Sequence, residues 1–139
     1  MKSVSEPQSK FGSVIVCEDI RDEIGNKKSL MGVMGGDILV PNFPATLKIA
    51  IYMEYHPDAK DREHLSLEIR LLQDDTEIAK GKMESAKAIK GVATFVLPTG
   101  LITFDKEVNF KLLASVNGRP EQEILNKKVT SQTTYSSES

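Results

Sequence analysis

Four carboxylates fall within six residues, Glu18, Asp19, Asp22 and Glu23, with Arg21 between them; Asp37 joins them if the intervening hairpin closes. Several carboxylates on one loop are the oxygen ligands that Ca²⁺ or Mg²⁺ takes. The spacing is not that of an EF-hand, which needs glycine at the sixth loop position and glutamate at the twelfth. Arg21, Lys27 and Lys28 partly neutralise the segment, so a solvated acidic stretch accounts for it without a metal. Asp58 with Asp61, or Asp74 with Asp75, would form a second, weaker oxygen-rich rim.

The other chemistry-bearing side chains are sparse. His56 and His64 flank one polar loop, with no cysteine or carboxylate at zinc-ligand spacing. Cys17, the one cysteine, lies in the apolar run Val14-Ile15-Val16-Cys17 and reads as a small core residue. The glycines of Gly32-Val33-Met34-Gly35-Gly36 lack the lysine and serine of a P-loop and do not precede a helix. No serine stands in a nucleophile elbow, and two histidines are too few for a triad worth defending. We therefore expect no catalytic residues, no metal and no cofactor. Tyr52 stands apart from the other aromatics. It alternates to the face opposite Leu47, Ile49, Ile51 and Met53, where it would either anchor a partner or lie under a covering segment.

These residues must be placed by strands. The interval 47–55 alternates strictly, with Leu47, Ile49, Ile51, Met53 and Tyr55 on one face. Leu65, Leu67, Ile69 and Leu71 repeat the pattern, as do Val108, Phe110, Leu112, Ala114 and Val116. A strand is expected over 11–19, buried on both faces. The interval 18–24 suits an extended or short-turn path, because Gly25-Asn26 follows at once. Further strands are expected at 29–34, at 77–83, and at 92–97 up to Pro98-Thr99-Gly100. The interval 84–90 suits a loop or one helical turn. Gly32 marks a bulge or close approach within its strand. Pro41-Asn42-Phe43-Pro44 reads as a fixed, extended crossover whose Phe43 plugs one end of the core. Leu101 and its neighbours up to Phe104 would cap an open end. Asn117-Gly118 is the strongest hairpin signal, and Pro120 places the return strand at an edge or bulge.

Turn signals about every ten residues give eight or nine short strands, the pattern of an all-β fold: an antiparallel β-sandwich, immunoglobulin-like or C2-like. There is no room for the helices of an α/β fold. With 139 residues the chain is expected to form one domain over 11–129, with a flexible arm at 1–10 and a polar tail at 130–139 in which only Tyr135 could anchor a partner. Charged residues are 27% and the net charge is −2, which gives neither disorder nor the basic face that nucleic acid demands. No apolar window reaches the ~18 residues of a membrane span, and the start has no signal core, so a cytoplasmic location is the expectation.

The motif of residues 14–55 runs Cys17-Glu18-Asp19-Ile20-Arg21, Gly25-Asn26-Lys27, Leu30-Met31-Gly32-Val33, Gly36-Asp37-Ile38 and Pro41-Asn42-Phe43-Pro44. It resembles an uncharacterised family of small bacterial and phage proteins with the pattern C-(D/E)-D-(I/V)-R, G-x-K, L-(I/V)-G-(V/I) and a closing F-P before a strand. The resemblance implies a small β-rich domain, phage- or prophage-encoded, with no activity or catalytic residues to transfer. Its glycines and prolines look structural, as does an Arg–carboxylate arrangement of Arg21 with Asp19 or Asp37.

The function expected is non-enzymatic: a binding or interaction protein acting through a sheet edge or through the loop end that carries residues 18–28. In a phage setting its partner would be a host factor or a small ligand. The binding residues expected are Glu18, Asp19, Arg21, Asp22, Asp37 and Tyr52. A homo-oligomer fits, because sandwich edges pair readily unless blocked. The rivals are a virion structural component and a metal-dependent hydrolase built on the acidic segment.

Overall fold

The computed structural model describes residues 10–25, 27–61, 64–85 and 91–132. It is an all-β sandwich of ten strands, one or two more than the turn spacing predicts. In chain order they are β1 (Phe11–Cys17), β2 (Asp19–Glu23), β3 (Lys27–Met31), β4 (Ile38–Val40), β5 (Ala45–Tyr55), β6 (Leu65–Gln73), β7 (Thr76–Ser85), β8 (Ala93–Phe104), β9 (Val108–Val116) and β10 (Gln122–Ser131). A three-stranded sheet in the order β1-β5-β8 faces a five-stranded sheet in the order β4-β10-β9-β6-β7, and β2 and β3 form a separate ribbon.

The alternating strands make the core. Ile49, Ile51, Met53 and Tyr55 of β5 face Leu65, Leu67, Ile69 and Leu71 of β6 and Phe110, Leu112 and Ala114 of β9, all buried in one cluster. Phe104 and Phe110 join the two sheets edge to face, with ring centroids 5.7 Å apart, a geometry worth about 0.5–1.5 kcal/mol beyond the area it buries. Cys17 is buried, as its apolar run predicts, and burial pushes its thiol pKa up. Val14 and Ile15 are only half-buried, so β1 is not enclosed on both faces.

Residues 19–23 take the extended of the two expected paths and form strand β2, because β3 runs back beside them in full antiparallel register from Asp19↔Met31 to Glu23↔Lys27. Several elements depart from the sequence expectation. The ribbon stops at Met31, where Gly32 takes a φ of +69°. Ile38–Val40 leaves the first sheet and pairs parallel to β10, so the sandwich is not wholly antiparallel. The Phe43–Pro44 peptide bond is cis.

The largest departure is β8. It does not end at Pro98 but runs on to Phe104, with a bulge where Ile49 pairs Gly100 and Ile51 pairs Leu97, so that Pro98 and Thr99 together stand opposite Ala50. A bulge absorbs a proline that a regular ladder cannot. Leu101 does not cap the core; it is 72% exposed, while Phe104 is fully buried.

The Asn117-Gly118 signal holds. Both residues have positive φ, 51° and 77°, and the Arg119 amide donates to the Val116 carbonyl at 3.0 Å, the two-residue turn this dipeptide favours. Lys10, assigned to the arm by sequence, belongs with the sandwich: its carbonyl accepts the His56 amide, and its ammonium pairs with Asp58. Thr130 and Ser131 complete β10. Residues 1–9 of the expected arm and 133–139 of the expected tail, including Tyr135, lie outside the described residues, as do Asn26 of the expected turn and residues 86–90 of the expected loop.

Candidate functional site

Among the described residues the β2–β3 ribbon is the one pair of strands outside the two sheets, and it carries most of the residues singled out above. It lies against the outer face of the three-stranded sheet, over β5 and β8. The Glu18 amide donates to the Met31 carbonyl and the Met34 amide to the Val16 carbonyl, both at 2.8 Å, so the ribbon's base is tied to the edge of β1. The β8 bulge supplies the second tie: Thr99 Oγ1 donates to the Glu18 carbonyl at 3.0 Å and reaches Asp19 Oδ1 at 3.3 Å. Extra residues in a bulge re-aim a side chain, and here the one re-aimed holds the ribbon.

Strand alternation decides what the acidic segment can do. Asp19, Arg21 and Glu23 lie on one face of β2, Ile20 and Asp22 on the other. Each carboxylate has its own partner. Asp19 Oδ2 accepts from Arg21 Nε at 3.1 Å, Asp22 Oδ1 from Lys28 Nζ at 2.6 Å, and Glu23 Oε2 from the Ser29 hydroxyl at 2.6 Å. The Arg21 hydrogen bond, helped by Thr99, holds the Asp19 carboxyl below its usual range. The segment thus spreads its charges over both faces instead of converging them, and among the described residues no three His, Cys, Asp or Glu side chains gather as a metal would require. Arg21 takes Asp19 as its partner. Asp37 is exposed, beyond Gly35-Gly36 and just before β4, and it lines neither hollow beside the ribbon.

Those two hollows flank the ribbon. One, of about 340 Å³, is lined by Glu18, Asp19, Arg21, Met31, Lys48 and Thr99. The other, of about 400 Å³, is lined by Lys27, Lys28, Leu30, Tyr52 and Thr94. Tyr52 is therefore half-covered rather than an exposed anchor. Burial raises its pKa, and its hydroxyl donates to Glu54 Oε2 at 2.6 Å. Of the expected residues, the structure brings together Glu18, Asp19 and Arg21; it places Asp22 on the ribbon's other face and Tyr52 beneath β3.

Residues 12–125 match a family of unknown function, DUF6941. The chain belongs to the DUF6941 family. No curated protein and no solved structure matches this DUF6941 chain. Among its described residues no helix is long and apolar enough to cross a membrane.

Sequence reasoning missed Thr99, Lys48 and Met31. Thr99 was hidden in a Pro-Thr-Gly stretch that reads as a strand end, and Lys48 among the polar residues of an ordinary strand face. Met31 sits in the apolar strand expected at 29–34, yet it is 43% exposed. The reason is the ribbon itself: a two-stranded element lying on a sheet can bury only one of its faces.

Proposed function

We propose that this DUF6941 protein is a non-enzymatic binding protein that engages a partner protein through the β2–β3 ribbon and the turn that follows it. One observation carries this reading. Among the described residues the exposed large apolar ones are Ile24, Met31, Val33, Leu39, Ile78 and Leu101, and the first three fall between the ribbon's tip and the turn that follows it. Ile24, at the ribbon's tip, is 93% exposed. Ile24 stands at the ribbon's tip and Met31 at its base, so a partner lying along the ribbon would meet apolar side chains at both ends. The ribbon holds its shape through the Asp22–Lys28 and Glu23–Ser29 pairs, which lowers the ordering cost of binding. The hollows beside it favour a small ligand as the second reading, with Arg21, Lys48 and the Asp19 carboxylate as its polar contacts. In the phage or prophage setting that the motif implies, the protein partner is a host factor.

Affinity capture from the source cells tests this. Wild type is compared with Ile24→Asp and with Leu101→Lys, which lies off the ribbon. A stoichiometric partner lost with Ile24→Asp and kept with Leu101→Lys is expected. Equal recovery with all three proteins contradicts the ribbon. Native mass spectrometry of the gently purified protein separates the second reading, since a small ligand adds its own mass.

A further inference from the structure

We infer that the free edge of β8 pairs with β8 of a second copy of this chain, antiparallel across a two-fold axis. A strand that ends a sheet offers unpaired amides and carbonyls to any extended chain, and proteins blunt such edges with lysines, prolines, bulges, short strands or cover. Three of the four sheet-ending strands here are managed. The edge of β1 is met by the Met34 amide on the Val16 carbonyl. β4 is only three residues long. β7 carries Lys80 and Lys82. β8 is different. It ends its sheet, it is twelve residues long, and ATFVLPTGLITF contains no charged residue. Among the described residues no strand pairs with its outer edge.

Beside that edge the sandwich is unsealed. An apolar slot of about 280 Å³ opens between β7 and β8, with Ile49 and Leu71 in its floor and Ile78, Leu97, Leu101 and Ile102 around it. It exists because Ala79 and Gly100 offer too little side chain to fill the space at the mouth. A Cβ built on Gly100 meets nothing within 4 Å. Pro98 removes a ladder donor, so the pairing register runs C-terminal to it, through Gly100 and Leu101 towards Phe104. Leu101, 72% exposed, pairs with Lys48 on the face away from the core and then lies near the axis beside its counterpart.

The occupant follows from the charge pattern. A two-fold interface sets each residue near its own counterpart. Any charged residue close to the axis would therefore face a like charge, and β8 has none. A basic or acidic peptide would find no complementary charge on this strand.

Sedimentation velocity over a range of concentrations, on the full chain, is the test, with three variants. The wild type is expected to shift from monomer to dimer with rising concentration. Leu101→Lys, at a side chain already in solvent, is expected to abolish the dimer while keeping the wild-type circular dichroism spectrum. Leu101→Cys, oxidised with copper phenanthroline, is expected to give a covalent dimer; the native Cys17 is buried and does not compete. Ile24→Asp is expected to leave the dimer intact, which separates this inference from the ribbon's role. A wild type that stays monomeric throughout overturns the inference. So does a dimer that survives Leu101→Lys, or one that Ile24→Asp dissolves.

Discussion

The two long sides of the sandwich are built differently. On one side, residues 32–44 wrap the seam. Met34 bonds β1, Ile38 and Val40 of β4 are buried against β10, and Met34 and Phe43 pack on the core. On the other side, β7 and β8 face each other across an open slot with Ile78 and Leu101 at its lip. Among the described residues a whole irregular segment seals the first seam and none seals the second. Apolar surface left in water forfeits about 25 cal/mol per Å², and the open seam is the side on which we propose that an external strand pairs.

Substitutions on the two sides should separate cleanly. Ile38→Ala, at a 2% exposed position of the sealed seam, is expected to cost about 2–5 kcal/mol. Leu101→Ala on the open side is expected to stay within about 0.5 kcal/mol for the monomer. Urea titration at low protein concentration reads both. Equal losses would erase the distinction.

Two glycines give the next largest contrast. At Gly32 φ is +69° and an added Cβ would come within 2.7 Å of Glu18 Oε1. Gly32→Ala is expected to destabilise by more than about 1 kcal/mol, since it adds backbone strain to a close approach. At Gly100 the Cβ meets open space, so Gly100→Ala is expected to stabilise the monomer by about 0.4–1 kcal/mol through the unfolded chain. Thermal unfolding of the two variants in parallel reads opposite signs.

Acid sharpens the contrast in another way. Asp19, Asp58 and Glu121 are held below their ordinary values by hydrogen bonds from Arg21, Lys10 and Arg70. Their unfolded forms therefore take up protons at higher pH than their folded forms do. The stability they contribute is complete above the ordinary values of 3.8 and 4.5 and is lost as pH falls through the lower, folded values. All three are solvent-facing, so the loss is modest. Glu121→Gln should flatten the fall in melting temperature below about pH 4.5. The smallest effect expected is that of salt on association. With no charge on β8, the dimer dissociation constant should stay constant from about 0.05 to about 0.5 M salt, where a charged interface would weaken.

The sandwich was legible because its core strands alternate with a period of two, and alternation survives any tertiary context that keeps one face buried. The hairpin at Asn117-Gly118 was legible because positive φ at both positions selects those residue types. The ribbon was half-legible: Gly25-Asn26 and the strand expected at 29–34 pointed to a hairpin, but β2 is charged throughout apart from Ile20 and draws its strand form from pairing with β3. The continuity of β8 was hidden by Pro98, whose usual effect is to end a strand; a bulge opposite Ala50 accommodates it instead. The candidate site was half-legible. Asp19 and Arg21 stand out by type and spacing, but Thr99 and Lys48 join them only through long-range register. The openness of the slot was invisible, since it depends on which strands end the sheets.

Amide hydrogen exchange at low and high protein concentration tests the difference between the two sides most directly. The account predicts slow, concentration-independent exchange in β1 and β4, and exchange in the 100–104 part of β8 that slows as concentration rises. Equal protection along both seams, unchanged by concentration, would contradict it.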